Sequence, residues 1–166
     1  LMNMGLKNKR VLVTGSTRGI GLEIARHFLK EGAKVAIASR GKERLIKVEN
    51  ELVSQFGKEN VLAQVCDFTK VKDVKNLAAY IEKQWSVIDV VVANVGDGRS
   101  ILDPIPEQEQ WQQTWNSNFE SALQTARTFL PMLEKSKGCL LFISSITGIE
   151  AFGAPTDYST AKSAII

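Results

Sequence analysis

The sequence is short of the residues that many chemistries require. Its 166 residues include one histidine, His27, and two cysteines, Cys66 and Cys139. Neither cysteine belongs to a CxxC pair or stands at metal-ligand spacing from the histidine, so no metal site is expected. The G-x-S-x-G elbow of an α/β-hydrolase is absent, which removes the Ser–His reading. His27, within IARHFLKEGA, reads as an ordinary helix residue. Both cysteines adjoin apolar runs (VLAQVC and CLLFI) and read as reduced core thiols of a cytoplasmic protein. No apolar run approaches the ~20 residues needed to cross a bilayer, and LMNMGLKNKR lacks the apolar centre of a secretory leader. The net charge is only +3, and the basic residues are scattered, so neither nucleic acid nor an anionic membrane is an expected partner. A single domain over residues 1–166 remains, an enzyme or a binder of small ligands.

What is present is an alternation. Short runs rich in Val, Ile and Leu read as strands at Arg10–Thr14, Lys34–Ser39, Asn60–Cys66, Ile88–Ala93 and Cys139–Ser144. Amphipathic stretches read as helices at Ile20–Glu31, Lys42–Phe56 and Val71–Trp85. A long helix, broken or bent near Pro131, is expected over Glu107–Lys135, and a last one from Thr156. Nearly uninterrupted apolar strands are covered on both faces, and strand–helix alternation implies a parallel α/β sheet. The long helix carries a stripe of Trp111, Trp115, Phe119, Ala122, Ala126, Leu130 and Leu133. The side of Thr114, Ser121, Thr125 and Thr128 is small. One face is expected to cover the sheet and the other to be available to a partner.

Between the first strand and first helix stands Gly15-Ser16-Thr17-Arg18-Gly19-Ile20-Gly21. Glycines let the backbone turn tightly and approach a ligand, and a helix start offers unpaired N–H groups to a pyrophosphate. Near the other end, Tyr158 and Lys162 are four apart and share a helix face. A free phenol ionises near pH 10, about three units too high for acid–base work at neutrality. A cation about 4 Å away supplies on the order of 4 kcal/mol at an effective dielectric near 20, which is of the right size to close that gap.

Thr14-Gly15-x-x-x-Gly19-Ile20-Gly21, followed in order by Asp67, Ala93-Asn94-Val95-Gly96, Asn118, Ser145 and Tyr158-x-x-x-Lys162, resembles the short-chain dehydrogenase/reductase family over essentially the whole chain. The resemblance implies a Rossmann-type doubly wound parallel sheet with strand order 3-2-1-4-5. It implies that Tyr158 trades a proton with a carbonyl or alcohol oxygen, that Lys162 also binds the nicotinamide ribose, that Ser145 bonds the substrate oxygen, and that Asn118 supports a water next to the lysine. Ser144 is the lesser candidate beside Ser145. It further implies that Asp67 accepts from the adenine amino group, that Phe68 lies beside that ring, and that Asn94 and Gly96 line the cleft. Ala93 and Val95 depart from the usual Asn-Asn-Ala-Gly and place the local hydrogen bonding in question.

An acidic residue about 20 positions past the glycines would bind a ribose 2′-hydroxyl. Here the second strand ends in Ser39-Arg40, and Arg40 with Arg18 suits a 2′-phosphate, so NADP(H) is expected in preference to NAD(H). The small-molecule partner implied is a carbonyl or alcohol, and the family's habit implies a homodimer or homotetramer through residues 107–135. The family continues beyond its Tyr-Lys helix with two strands, a helix and a substrate loop. The sequence is therefore expected to belong to a longer protein, with a cofactor half that forms and catalysis that is poor without the rest. A nucleotide-binding or scaffold protein without turnover is the alternative from another class, and an isomerase or dehydratase a lesser one. Retention of Ser145 and Tyr158 together favours the enzyme.

Overall fold

The computed structural model describes residues 4–98, 103–150 and 153–166. Two loops that the family resemblance implies help set the substrate, Gly96–Pro106 and Ser145–Pro155, lie in part, at 99–102 and 151–152, outside the described residues. Five strands, β1 (Arg10–Thr14), β2 (Lys34–Ser39), β3 (Val61–Val65), β4 (Val90–Ala93) and β5 (Cys139–Phe142), form one parallel sheet in the order β3-β2-β1-β4-β5. The helices are α1 (Gly19–Lys30), α2 (Lys42–Phe56), α3 (Val71–Trp85), α4 (Gln108–Trp115), α5 (Ser121–Ser136) and α6 (Thr156–Ser163).

Side chains alternate across a strand, so each sheet face builds its own core. Val11, Val13, Val35, Ile37 and Val92 pack with Ala25 and Leu29 of α1 and Leu45, Val48 and Leu52 of α2. Leu12, Ala36, Ala38 and Val91 pack with Val74, Leu77 and Ile81 of α3 and Phe129, Met132 and Leu133 of α5. Burying one such Leu, Ile or Phe is worth about 1.5–3 kcal/mol, and β1 and β2 bury both faces because they lie mid-sheet. At the edge strand β5 the pattern fails: Leu141 is 46% and Phe142 39% exposed. Cys139 is exposed on the same strand, which corrects its reading as a core thiol. Cys66 is buried as expected, and burial pushes its pKa up to about 12, so it is an inert thiol.

The long helix differs from expectation in two ways. It runs through Pro131 without a break, because Pro131 and Arg127, whose carbonyl loses a partner, both lie on the solvent side. Its irregularity comes earlier, as a π turn at Asn116–Glu120 between α4 and α5. The small-residue side faces inward: Thr114, Ser121 and Thr125 are buried. Their hydroxyls permit this, since Ser121 Oγ donates to Ser117 O at 2.8 Å and Thr125 Oγ1 to Ser121 O at 2.7 Å, while Thr114 Oγ1 accepts from Gln110 Nε2 at 3.0 Å. Most of the large-residue stripe is half-buried, Leu130 is 48% exposed, and only Ala122 and Leu133 of it are buried.

The amino ends of β1 and β4 are fastened by Asp89, which is 8% exposed. Its carboxylate accepts from the Arg10 backbone N–H at 2.8 Å and from Arg10 Nε at 2.7 Å. Burial pushes the Asp89 pKa up, but the Arg10 hydrogen bonds and charge outweigh it, leaving the group below its ordinary value. Asp89→Ala is expected to cost about 2–3 kcal/mol in urea unfolding at neutral pH. Because the folded carboxyl has the lower pKa, this contribution is complete above the unfolded value of about 4 and vanishes as pH falls through the folded value. The deficit of the variant should therefore shrink in acid; a constant deficit would contradict the assignment.

Candidate active site

A cleft of about 480 Å³ opens at the carboxyl ends of the strands, where open parallel sheets place their ligands. It runs from the glycine turn, past Ser39, Arg40, Asp67 and Phe68, to Asn94, Gly96, Tyr158 and Lys162.

The glycine turn is tied to its neighbours on both sides. Gly15 N donates to Ala38 O at 3.0 Å, Ala38 N donates to Ser16 Oγ at 2.9 Å, and Thr17 Oγ1 meets Ser39 Oγ at 3.1 Å. Ser16 is fully buried and outside the cleft lining; its hydroxyl fastens the turn to β2. Thr14 Oγ1 accepts from Asn94 N (2.9 Å) and Val95 N (3.1 Å), and Asn94 Nδ2 returns a bond to Thr14 O (2.9 Å). This Thr14–Asn94 exchange joins β1 to β4 and resolves the question raised by Ala93 and Val95.

Two glycines of the turn have different tasks. A Cβ on Gly21 would stand 2.4 Å from Asn94 Nδ2 and 2.5 Å from Gly15 O, so Gly21 permits close packing. Gly19, at φ +54°, has nothing within 4 Å of that position and leaves the surface open. No side chain caps α1 and no acidic residue occupies its first turn. Bare N–H groups at a helix start beside Arg18 and Arg40 fit the phosphates of a dinucleotide.

Asp67 Oδ1 already accepts from Thr69 N (3.1 Å) and Oγ1 (2.8 Å). Burial pushes its pKa up, but Thr69's hydrogen bonds and the charges of Arg40 and Lys70 bring it below the ordinary value, so it is an anion. Phe68 is 3% exposed and belongs mainly to the core, with one side on the cleft.

At the other end, α6 puts Tyr158 and Lys162 into the cleft together, with the Lys162 Nζ 5.8 Å from the Tyr158 ring centroid. Gly98 lies against the Tyr158 ring: a Cβ there would stand 3.6 Å from Tyr158 Cζ, an ordinary contact. Lys162 is 3% exposed, and its Nζ donates to Ile143 O at 3.0 Å. Burial holds the Lys162 pKa below the ordinary value. Gly96 makes the room: a Cβ there would stand 2.7 Å from Asn118 Oδ1 and 3.0 Å from Lys162 Nζ.

Asn118 lies on the π turn, fully buried beneath the cleft and not in its lining. Its Nδ2 donates to Asp97 O and Thr114 O, both at 3.0 Å, and its Oδ1 accepts from Asp97 N at 3.1 Å. The π turn leaves helix carbonyls without their usual partners, and Asn118 takes up that of Thr114. Ser145 is half-buried and also outside the lining; its Oγ accepts from Thr147 N (3.3 Å) and Thr147 Oγ1 (2.9 Å). Ser144 lines the cleft instead, with Thr69, Asp97, Gly98, Ser117 and Ile143 among residues the motifs did not single out. All but Ser117, which comes from the π turn, follow the carboxyl end of a strand, and the topological rule alone could have found those. Among the described residues no cluster of three potential metal ligands occurs, and no helix is long and apolar enough to cross a membrane.

The sequence model of the short chain dehydrogenase family matches residues 9–166. An uncharacterized oxidoreductase of Bacillus subtilis, YvrD, is 38% identical over 99% of this chain and 62% of its own length. L-sorbose reductase from Gluconobacter frateurii, solved with NADPH and L-sorbose, superposes with a TM-score of 0.92 at 28% identity, over 99% of this chain and 62% of that one. An alcohol dehydrogenase from the archaeon Thermococcus sibiricus, solved with 5-hydroxy-NADP, gives 0.87 at 28% identity, over 94% and 66%. The chain thus spans 62% of the length of the Bacillus relative.

Burying a cation costs free energy that a carbonyl partner only partly returns. Lys162→Met is therefore expected to leave thermal stability unchanged or raise it by about 1–2 kcal/mol near neutral pH. Since the folded lysine has the lower pKa, its cost is complete below that value and is relieved as pH rises toward 10.5. The difference between the two proteins should narrow over that rise; a variant clearly less stable than wild type would contradict the account.

Proposed function

The chain belongs to the short-chain dehydrogenase/reductase family, and from that premise we propose that it is an NADP(H)-dependent oxidoreductase interconverting a ketone or aldehyde and the corresponding alcohol. The observation that carries this reading is the presence of Tyr158 and Lys162 in the same cleft as the open glycine turn. The turn, with Arg18, would hold the dinucleotide's phosphates, Asp67 and Phe68 its adenine end, and Lys162 its nicotinamide ribose. When bound, the nicotinamide supplies or accepts the hydride. In reduction, Tyr158 gives its phenol proton to the carbonyl oxygen as the carbonyl carbon gains hydride; in oxidation it takes the proton from the alcohol. The Lys162 ammonium stabilises negative charge that develops on the phenol oxygen.

Ser145 is assigned to the substrate oxygen. Both of its hydrogen bonds bring donors from Thr147 to its Oγ, which leaves its own proton to offer. Asn118 is a positioning residue that holds the segment Gly96-Asp97 against the helix. Preference for NADP(H) is supported by Arg18, Ser39 and Arg40 around one end of the cleft, with no carboxylate closing β2. It is supported too by NADP-type ligands in the Gluconobacter and Thermococcus proteins. The half-exposed stripe with Trp111, Trp115 and Phe119 suits packing against a second copy in a homodimer or homotetramer.

Tyr158→Phe is expected to lower kcat by on the order of 10²–10⁴-fold in an NADPH-linked carbonyl assay, and normal turnover would end the proposal. Arg40→Asp is expected to weaken NADPH binding by about 10–100-fold, roughly 1.4–2.7 kcal/mol, and to spare NADH. Equal effects on both nucleotides would remove the phosphate-specific role.

A further inference from the structure

We propose that Ser144 is a positioning residue that acts through Lys162. The claim rests on the reading of Lys162 given above. Two consecutive residues at the end of β5 grip the lysine at both its ends. Lys162 Nζ donates to Ile143 O at 3.0 Å, and Ser144 Oγ donates to the Lys162 carbonyl at 2.7 Å. The segment after β5 sits directly on the lysine's main chain: a Cβ on Gly148 would stand 2.9 Å from Lys162 C and 3.0 Å from Lys162 O.

The clasp answers a local weakness. Helix α6 has only eight residues and no side-chain cap, and Lys162 lies in its last turn. Among the described residues, the Lys162 carbonyl otherwise meets only the backbone N–H groups just past the helix end, that of Ala164 and, at a long 3.3 Å, that of Ile165. Short helix ends fray where carbonyls lack partners. The ammonium sits on a flexible four-carbon stem, so its place beside the phenol is defined only if the backbone beneath it is fixed. Ser144 supplies that fixture with a short hydroxyl bond from the segment just after β5, which Ile143 N ties to Ala93 O of β4 at 3.0 Å, and so carries the rigidity of the sheet to the placement of Nζ. Reaction rates are sensitive to such displacements.

The test is a double-mutant cycle of Ser144→Ala and Lys162→Met, with Ser144→Thr as the variant that keeps the hydroxyl. NADPH affinity is read by fluorescence titration, turnover with a carbonyl substrate, and local opening by hydrogen exchange of the α6 amides. Ser144→Ala should weaken NADPH binding and lower kcat by about tenfold each, with KM for the carbonyl little changed. It should also speed exchange in the last turn of α6 without lowering the global unfolding midpoint by more than about 5 °C, the effect of losing one hydrogen bond. Ser144→Thr should restore most of each loss. In the Lys162→Met background Ser144→Ala should add nothing to the loss of affinity and turnover but should still speed exchange, because the main-chain carbonyl at 162 remains. An undiminished effect on affinity and turnover in that background, or wild-type exchange in Ser144→Ala, overturns the proposal. A wild-type protein that ignores NADPH would sink the functional reading alone, since the exchange measurement judges the clasp without any nucleotide.

Discussion

A buried ammonium constrains this structure more than any other single group. Lys162 is almost wholly removed from water, and its side chain reaches a carbonyl, that of Ile143. An ion in that position must be given polar neighbours and room, and it constrains whatever surrounds it. Gly96 provides the room by having no side chain. Asn118 brings its amide oxygen to the same spot, and it can do so because the helix carrying it relaxes into a π turn. The segment after β5 closes over the lysine from the other side. Elements distant in sequence thus converge on one charge, and such convergence on a strained electrostatic arrangement is typical of a site that does chemistry.

The rest of the cleft follows from the sheet. Parallel strands deliver their carboxyl ends to one rim, and each loop leaving that rim contributes a different function. The loop after β1 offers glycines and a helix start, that after β2 offers Arg40, that after β3 offers Asp67, and that after β4 offers Gly96. Hydrogen bonds between neighbouring loops, Ser16 to β2 and Thr14 to Asn94, make the rim one connected unit. Positive charge collects at the end with Arg18 and Arg40 and again at Lys162, which suits an extended anionic dinucleotide between them.

Much of this was legible because local signals agreed with global ones. β1, β2, α2 and α3 fall at the expected residues, since each has a strong apolar period and definite ends. The strand order and the cleft's principal residues follow from the motifs. Failures came where tertiary context outweighs pattern. Cys139 sits in an apolar run, yet its strand lies at the sheet's edge and leaves it exposed. Pro131 suggested a break, but a proline on the hydrated side of a long helix is tolerated. The inward face of that helix is small and polar in its first half, where back-bonded hydroxyls are buried, and apolar in its second, where Phe129, Met132 and Leu133 enter the core. Motif position also does not say where a hydroxyl points: that of Ser16 turns to β2 and that of Ser144 to the Lys162 carbonyl.

Lys162 carries a desolvated charge beside the Tyr158 ring, where the proposed function would bring the nicotinamide ribose. Selective ¹³C labelling of lysine side chains allows its ionisation to be followed by NMR, with the resonance assigned by its absence in a Lys162→Met protein. The account predicts one lysine that titrates below the ordinary value of about 10.4 and whose signal moves when NADPH is added. A Lys162 that titrates with the surface lysines and does not respond to NADPH would contradict it.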